Sequence, residues 1–185
     1  MAASLIKRAA AANLVLIGAL AQAAEIPPPA YQLIALPHGV PSEVLYSVAL
    51  QESGTRIRGQ LVPWPWTLNV AGAGYRFATR DDACRALTVA IQVAGAKRVD
   101  AGLGQVNIGW NGHRFATPCD ALDPYQNLMA VVNILNEQRA EGGDWITVAG
   151  RYHRPAGGQA AANYRKAFAK HLSRVTGINL LAANP

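Results

Sequence analysis

The feature that most constrains this chain is a series of helix-start and helix-stop signals spread over most of its length. Asp123-Pro124 joins an N-cap residue to a proline at the first helical position, and Gly142 ends the helix that follows. Apolar residues recur at helical spacing in four more segments, which are 42–54, 79–95, 144–155 and a last one from Tyr164 to Val175. Residues 61–77 instead combine tryptophans with a glycine turn, which is typical of a β-hairpin. The sequence therefore predicts a mostly α fold with one small β-hairpin.

Composition favours a single folded domain and excludes several classes of function. Hydrophobic residues make up 51% of the 185-residue chain and charged residues 15%, which is enough apolar material for one core. The net charge of +6 falls short of the dense basic patches of nucleic-acid-binding proteins, although it suits a polyanionic polymer. The histidines share no metal-ligand spacing, and Gly72-Ala73-Gly74 lacks the third glycine of a dinucleotide loop. We therefore expect no metal, no cofactor and no nucleic-acid partner.

Residues 1–23 have the three parts of a signal peptide. A basic start precedes an apolar run over residues 9–20, and residues 21–23 (Ala-Gln-Ala) fit a signal-peptidase site. An amphipathic first helix is the alternative, but the run has almost no polar face. The run is too short to span a bilayer, and no later stretch is long and apolar enough to do so. We expect cleavage before Ala24, export to the periplasm and no integral membrane span in the mature chain.

Prolines mark a leader between the signal peptide and the folded domain. Pro27, Pro28, Pro29 and Pro37 fall close together, and proline fixes the backbone in conformations typical of extended segments. We therefore expect residues 24–37 to be an extended leader. The folded domain then covers residues 38–185.

The chain has two cysteines, Cys84 and Cys119. Two are too few for a disulfide scaffold or a cysteine-rich zinc module, but a single bridge stays possible. Because an oxidising compartment lets an even pair remain oxidised, we expect a disulfide between Cys84 and Cys119.

Glu52 is the residue with the strongest potential for catalysis. It shares a helical face with Leu45 and Val48 and falls in the last turn before Gly54. Burial and the negative end of the helix dipole both disfavour the charged carboxylate and raise its pKa. A carboxyl that keeps its proton near neutral pH can act as a general acid. An isolated glutamate is far more often a surface residue, so the neighbouring motifs decide between these interpretations.

Three segments supply those neighbours. Gln51-Glu52-Ser53 ends a predicted helix, residues 102–107 (Gly-Leu-Gly-Gln-Val-Asn) form a glycine-rich loop, and two tyrosines lie on later predicted helices, Tyr152 and Tyr164. With these motifs the chain resembles the lytic transglycosylases that have a soluble-lytic-transglycosylase-like catalytic domain, a family related in fold to goose-type lysozyme. The resemblance covers about residues 38–172. It implies a lysozyme-like domain.

The resemblance also implies a role for each of these residues. Glu52 would be the catalytic acid, supported by Ser53 and by the hydroxyls of Tyr152 and Tyr164. The sugar cleft would be lined by the following residues: Gly102, Leu103, Gln105, Asn107 and His153.

Two positions depart from the pattern of that family. Gly104 stands where a methionine usually packs the cleft, and His153 stands where an asparagine usually follows the tyrosine. The segment between Glu52 and Gln105 is also long for the compact form of the family. That elaboration is similar to enzymes encoded with conjugation or type IV secretion machinery. Components of such machinery are therefore expected partners, beside the glycan strands of peptidoglycan.

Aromatic side chains offer a further way to bind sugars. Four of them could stack on sugar rings: Trp64, Trp66, Tyr75 and Trp110. Packing in the core or in the hairpin is the more common role of such residues, and we expect it here.

The expected function is that of a peptidoglycan lytic transglycosylase. Such an enzyme cleaves the β-1,4 bond between N-acetylmuramic acid and N-acetylglucosamine and leaves a 1,6-anhydromuramyl end. A hydrolytic lysozyme is one alternative, and it is favoured if Asp100 points into the cleft, since a second carboxylate can activate water or stabilise the reacting sugar. Otherwise Asp100 is expected to hydrogen-bond the backbone of the loop that follows it. A peptidoglycan-binding module without catalysis is the other alternative.

Overall fold

The computed structural model describes residues 24–180, so the predicted signal peptide lies outside the described residues. The described part is 62% helix, with seven α-helices and antiparallel sheets of two and four strands. This confirms the prediction of a mostly α fold. The helices are α1 Pro29–Ala35, α2 Ser42–Ser53, α3 Arg80–Ala94, α4 Ile108–Asn111, α5 Pro124–Ala140, α6 Trp145–His153 and α7 Gly158–Thr176. The strands are β1 Gly54–Ile57, β2 Gln60–Pro63, β3 Thr67–Val70, β4 Ala73–Arg76, β5 Val99–Ala101 and β6 Val106–Asn107.

Helix α2 forms the centre of the core. Every residue from Val44 to Leu50 is buried, and α2 packs against α1, α5 and α7. A helix that is apolar on all sides is stable only when other elements surround it. Its last turn leads directly into β1, so Glu52 lies at the end of α2 next to the sheets. The helix begins at Ser42, directly after Pro41, and no side chain caps its first turn.

The β structure is larger than the single predicted hairpin. The predicted hairpin is present as β3 and β4, which turn at Ala71-Gly72. A second hairpin, β1–β2, follows α2 directly, and β5 and β6 extend the first into a sheet of order β4-β3-β5-β6. The additional strands have two to four residues each. Strands this short do not show the alternation of apolar and polar residues by which strands are recognised.

The predicted extended leader over residues 24–37 is also wrong. Pro29 occupies the first turn of α1, a position that proline favours because its fixed φ suits a helix and its missing N–H needs no partner there. Tyr31 and Ile34 of this helix are buried in the core. The segment before α1 is attached as well, since Glu25 accepts a hydrogen bond from the Tyr46 hydroxyl at 2.8 Å.

Within residues 24–180 no helix has both the length and the apolar character that crossing a bilayer requires.

The disulfide between Cys84 and Cys119 is present, as predicted. It joins α3 to the short helical turn Pro118–Leu122, and the two Cα atoms are 5.2 Å apart. The closed loop contains β5, β6 and the connection between them. The bridge therefore restrains the part of the chain that faces the end of α2.

Replacing both Cys84 and Cys119 with serine should lower the free energy of unfolding by about 3 to 4 kcal/mol, because the unfolded chain regains the entropy of an open loop. Urea denaturation of the oxidised protein and the double variant measures this difference. Titration of the native protein without reductant should find no free thiol. Two free thiols would show that the cysteines do not pair in the folded protein.

Candidate functional site

A cleft of about 300 Å³ lies where the end of α2 meets the four-stranded sheet, with α4, α5 and α6 completing its walls. Its lining is mostly polar. The lining residues are Glu52, Asn69, Asp100, Gln105, Val106, Asn107, Asn111, Ile134, Tyr152 and His153. Six of the residues singled out in the sequence therefore meet at one cleft: Glu52, Asp100, Gln105, Asn107, Tyr152 and His153.

Glu52 presents a shielded carboxyl to this cleft. The residue is partly buried, and its Oε1 atom is inaccessible to solvent and has no hydrogen-bond partner of regular geometry within residues 24–180. Burial raises the pKa of Glu52 from 4.5 to about 7, the hydroxyl of Tyr164 opposes part of this rise, and the charge of Asp100 adds to it. A substantial fraction of Glu52 therefore keeps its proton at neutral pH, as a general acid requires.

Tyr164, on α7, is the hydroxyl group that acts most directly on this carboxyl. Its ring is buried, and burial followed by the charge of Glu52 raises the pKa of the phenol well above its ordinary value. The ring of His153 stacks on that of Tyr164, with centroids 4.6 Å apart and planes 9° apart. Burial and the nearby Arg154 lower the pKa of His153, so the imidazole is largely neutral at pH 7. His153 thus covers Tyr164 on the cleft side.

Tyr152 makes a different contact from the one its motif implies. Its hydroxyl donates to the carbonyl of Gly104 at 2.6 Å, although it lies close enough to Glu52 for the two groups to interact electrostatically. The one hydroxyl proton of Tyr152 is therefore engaged in a hydrogen bond to the loop after β5. The phenol oxygen keeps a lone pair that can accept a hydrogen bond from a protonated Glu52.

Ser53 connects the acid to the same loop. Its buried hydroxyl lies 2.8 Å from the Leu103 carbonyl and 3.0 Å from the Ala49 carbonyl, and it can donate to one of them at a time. Gln105 fixes the loop from the other side, because its Nε2 donates to the carbonyls of Thr67 and Gly102. Both residues hold the loop in position at the end of α2.

Gly102 and Leu103 do not line the cleft. The loop turns inward at this point, so that Leu103 packs in the core. Gly102 has a positive φ of 81°, and a Cβ atom there would lie 2.2 Å from the side chain of Asn127. Gly102 and Leu103 therefore pack on the side of the loop that faces the core. Gln105 is the residue of the motif that lines the cleft.

Gly104 is required by the packing around it. A Cβ atom at this position would lie 2.1 Å from Val131 Cγ2 and 3.0 Å from the Tyr152 hydroxyl. The space that a methionine would need is thus already filled by Val131 and Tyr152. The departure from the family pattern has a local structural cause.

Asn127 holds the loop after β5 in place, and its role was not predicted from the sequence. It is fully buried on α5, its Nδ2 donates to the carbonyls of Ala101 and Ala121, and its Oδ1 accepts from the N–H of Gly104 at 2.8 Å. It therefore holds both ends of the turn between β5 and Gln105. The signal that marks it is an asparagine four residues before Val131, on the apolar face of a strongly predicted helix.

Asp100 lines the cleft instead of bonding the loop backbone. Its Oδ1 accepts a hydrogen bond from Asn107 Nδ2 at 2.7 Å. Burial raises the pKa of Asp100, while the bond from Asn107 and the nearby His153 partly lower it. Asn107 in turn caps α4 with its Oδ1, which accepts from two backbone N–H groups. The cleft thus contains a second carboxyl that influences the first.

The four aromatic residues divide into two groups. Trp64 and Trp66 are partly buried and pack edge to face with centroids 5.7 Å apart, as predicted. Trp110 and Tyr75 are 64% and 50% exposed, so the packing predicted for them is wrong. Trp110 lies on α4 beside the cleft residue Asn111, and the Lys97 ammonium lies 4.2 Å from its ring centroid.

The arrangement can donate and recover a proton within a polar cleft that is large enough for part of a sugar chain. Among residues 24–180 no group of three histidine, cysteine or acidic side chains is placed to hold a metal ion. Comparisons with models of protein families, with curated proteins and with solved structures find no match to this chain.

Proposed function

We propose that this protein is a peptidoglycan lytic transglycosylase with a lysozyme-like fold and that Glu52 is its catalytic acid and base. The observation that carries the proposal is the shielded carboxyl of Glu52 at the wall of a polar cleft, with a pKa raised to about 7. A carboxyl that only binds sugar hydroxyls gains nothing from holding a proton. A carboxyl that protonates a leaving oxygen depends on it.

The reaction begins with protonation of the leaving group. Glu52 donates its proton to the oxygen of the β-1,4 bond between N-acetylmuramic acid and N-acetylglucosamine, and the bond between the anomeric carbon and that oxygen breaks. The Glu52 carboxylate then takes the proton from the muramyl 6-hydroxyl while O6 bonds to the anomeric carbon. No water is consumed, and Glu52 regains its proton. The 6-hydroxyl competes well with water because it belongs to the same sugar.

The residues around Glu52 support both steps. Tyr164 approaches the carboxyl and can stabilise the carboxylate that forms after the first proton transfer. Tyr152 and Ser53 fix the loop after β5 to α6 and α2, which keeps Gln105 at the cleft. They are positioning residues in this mechanism, because their hydroxyl groups donate hydrogen bonds to backbone carbonyls.

The proposed setting is the periplasm, where the enzyme would open the cell wall locally for a conjugation or type IV secretion apparatus. The predicted signal peptide, residues 1–23, and the Cys84–Cys119 disulfide support export. The mild positive charge suits a polyanionic wall. The hairpins between α2 and α3 form the elaboration in which the chain resembles enzymes of such machinery.

Hydrolysis is a second candidate, because Asp100 lines the cleft and interacts electrostatically with Glu52. Most hydrolytic glycosidases use two carboxyl groups, which flank the glycosidic bond that is cleaved. Burial, however, raises the pKa of Asp100, so the charged carboxylate that a base requires forms at a higher pH than for an ordinary aspartate. One of its oxygens is also occupied by the hydrogen bond from Asn107.

The products separate the two reactions. Mass spectrometry of purified sacculi digested by the protein should find 1,6-anhydromuramyl ends, whereas hydrolysis adds one water and leaves reducing ends. The Asp100→Asn variant should keep the anhydro product, since Asp100 takes no proton in the proposed mechanism. Reducing ends from the native protein that disappear with Asp100→Asn would establish the lysozyme reaction instead. If the protein cleaves no bond in the sacculi, the remaining alternative is a peptidoglycan-binding module without catalysis.

A further inference from the structure

Three asparagines line the cleft, and they differ in what they leave available to a ligand. Asn107 is fully engaged, because its Nδ2 donates to Asp100 and to the Lys97 carbonyl while its Oδ1 caps α4. Asn69 and Asn111 each use only one atom of the side-chain amide within residues 24–180. Of the three asparagines, these two therefore have side-chain atoms available to form hydrogen bonds with a ligand.

The orientation of both free amides is fixed by their protein partners. Asn69 Oδ1 accepts from the backbone N–H of Gly72 at 2.9 Å, and Asn111 Oδ1 accepts from Arg114 Nε at 3.0 Å. A backbone N–H and a guanidinium can only donate, so the oxygen of each amide must face them. The atom left over in each case is Nδ2, which carries two protons and can only donate.

The framework behind these amides is rigid. Arg114 forms two hydrogen bonds to the carboxylate of Glu137, at 2.8 and 2.7 Å, and its side chain is only 16% exposed. Asn69 lies on β3 between two paired strands, opposite Asp100 on one side. Donors that are held in place before binding lose little entropy when a ligand arrives, so they contribute strongly to specificity.

Two fixed donors select a ligand that offers acceptors. The same cleft contains the carboxyl groups of Glu52 and Asp100, so a ligand carboxylate would be repelled there, while a neutral carbonyl would not. We propose that Asn69 and Asn111 are specificity-determining residues that donate hydrogen bonds to amide carbonyl oxygens of the substrate. This inference rests on the proposed function, in which such carbonyls come from the N-acetyl groups of the sugars or from the peptide stems.

Binding measured in the Glu52→Gln background tests the proposal without cleavage. Three ligands are titrated by calorimetry: peptide-free N-acetylated glycan, the same glycan after chemical de-N-acetylation, and glycan with its peptides. If the N-acetyl group supplies the carbonyl, de-N-acetylation should weaken binding about tenfold, the factor expected from one ordinary hydrogen bond. If the peptide supplies it, removal of the peptides should cause that loss instead.

Aspartate substitutions then assign the effect to residues. Asn69→Asp and Asn111→Asp keep the oxygen that Gly72 or Arg114 needs, but they replace the donor with an acceptor. Each should weaken binding of the carbonyl-bearing glycan about tenfold and remove the preference for it over the glycan that lacks the group. Asn133→Asp adds the same charge at an exposed position of α5 and should change neither value.

The outcomes distinguish this inference from the proposed function. If Asn69→Asp and Asn111→Asp melt at the native temperature and discriminate between the glycans as well as Asn133→Asp does, the assignment of the two donors is wrong, although glycan binding persists. If no variant and no native protein binds or cleaves any of the glycans, the proposed function fails as well.

Discussion

The Glu52→Gln variant should lose all measurable cleavage of sacculi while it still binds them. Glutamine has the size and hydrogen-bonding shape of a protonated glutamate, but it has no acidic proton to give to the leaving oxygen. With the acid removed, both steps of the proposed reaction stop, because the same group donates the first proton and accepts the second. Soluble glycan fragments released from sacculi are the measurement. Wild-type rates in this variant would exclude Glu52 as the acid.

The same variant should be more stable than the native protein in alkaline solution. Glu52 titrates near 4.5 when unfolded and near 7 when folded, so between these values the folded state holds a proton that the unfolded state releases. The free energy of unfolding therefore falls as the pH rises through this range, by about 3 kcal/mol in total, and glutamine has no such dependence. Glu43→Gln, at the other end of α2, is the matched control and should not change activity, because Glu43 does not line the cleft.

The Asn127→Asp variant should lose about 3 to 5 kcal/mol of stability, although the two side chains have the same shape. Asn127 Nδ2 donates to two buried carbonyls, and an aspartate would present an acceptor to both of them. A buried charge or a buried unpaired carboxyl would then lie directly behind Gly104 and Gln105. Denaturation by urea measures the loss of stability.

Asn133→Asp is the control for this substitution, since it introduces the same change at an exposed position on the same helix. It should alter the free energy of unfolding by no more than about 0.5 kcal/mol. If Asn127→Asp and Asn133→Asp unfold at the same urea concentration, the hydrogen bonds of Asn127 do not hold the loop.

Much of the fold follows from local signals in the sequence. Thr79 accepts from the N–H of Asp82, and Asp123 and Asp144 cap α5 and α6, at the places where the residue types predict helix starts. Glu52 reaches the cleft because its position relative to Leu45 and Val48 follows from helical periodicity. Elements with a strong local preference are thus predictable from one sequence.

The parts that sequence reasoning missed depend on contacts between distant segments. The short strands β5 and β6 exist because β3 pairs with β5 and β5 in turn pairs with β6. The three prolines before Tyr31 start a helix because that helix has a core to pack against. The hydrogen bond from Tyr152 to Gly104 and the bonds of Asn127 with Ala101 and Gly104 also join residues far apart in sequence. No pattern of neighbouring residues encodes such pairings.

The proton that Glu52 holds near neutral pH is the requirement on which the proposed reaction depends, and it can be measured directly. Protein labelled with carbon-13 at the glutamate side-chain carboxyls is titrated by NMR, and the signal missing from the Glu52→Gln variant identifies Glu52. The chemical shift of that signal should change with a midpoint at about pH 7, because burial disfavours the charged form. A midpoint near the ordinary value of 4.5 would contradict the assignment of Glu52 as the general acid.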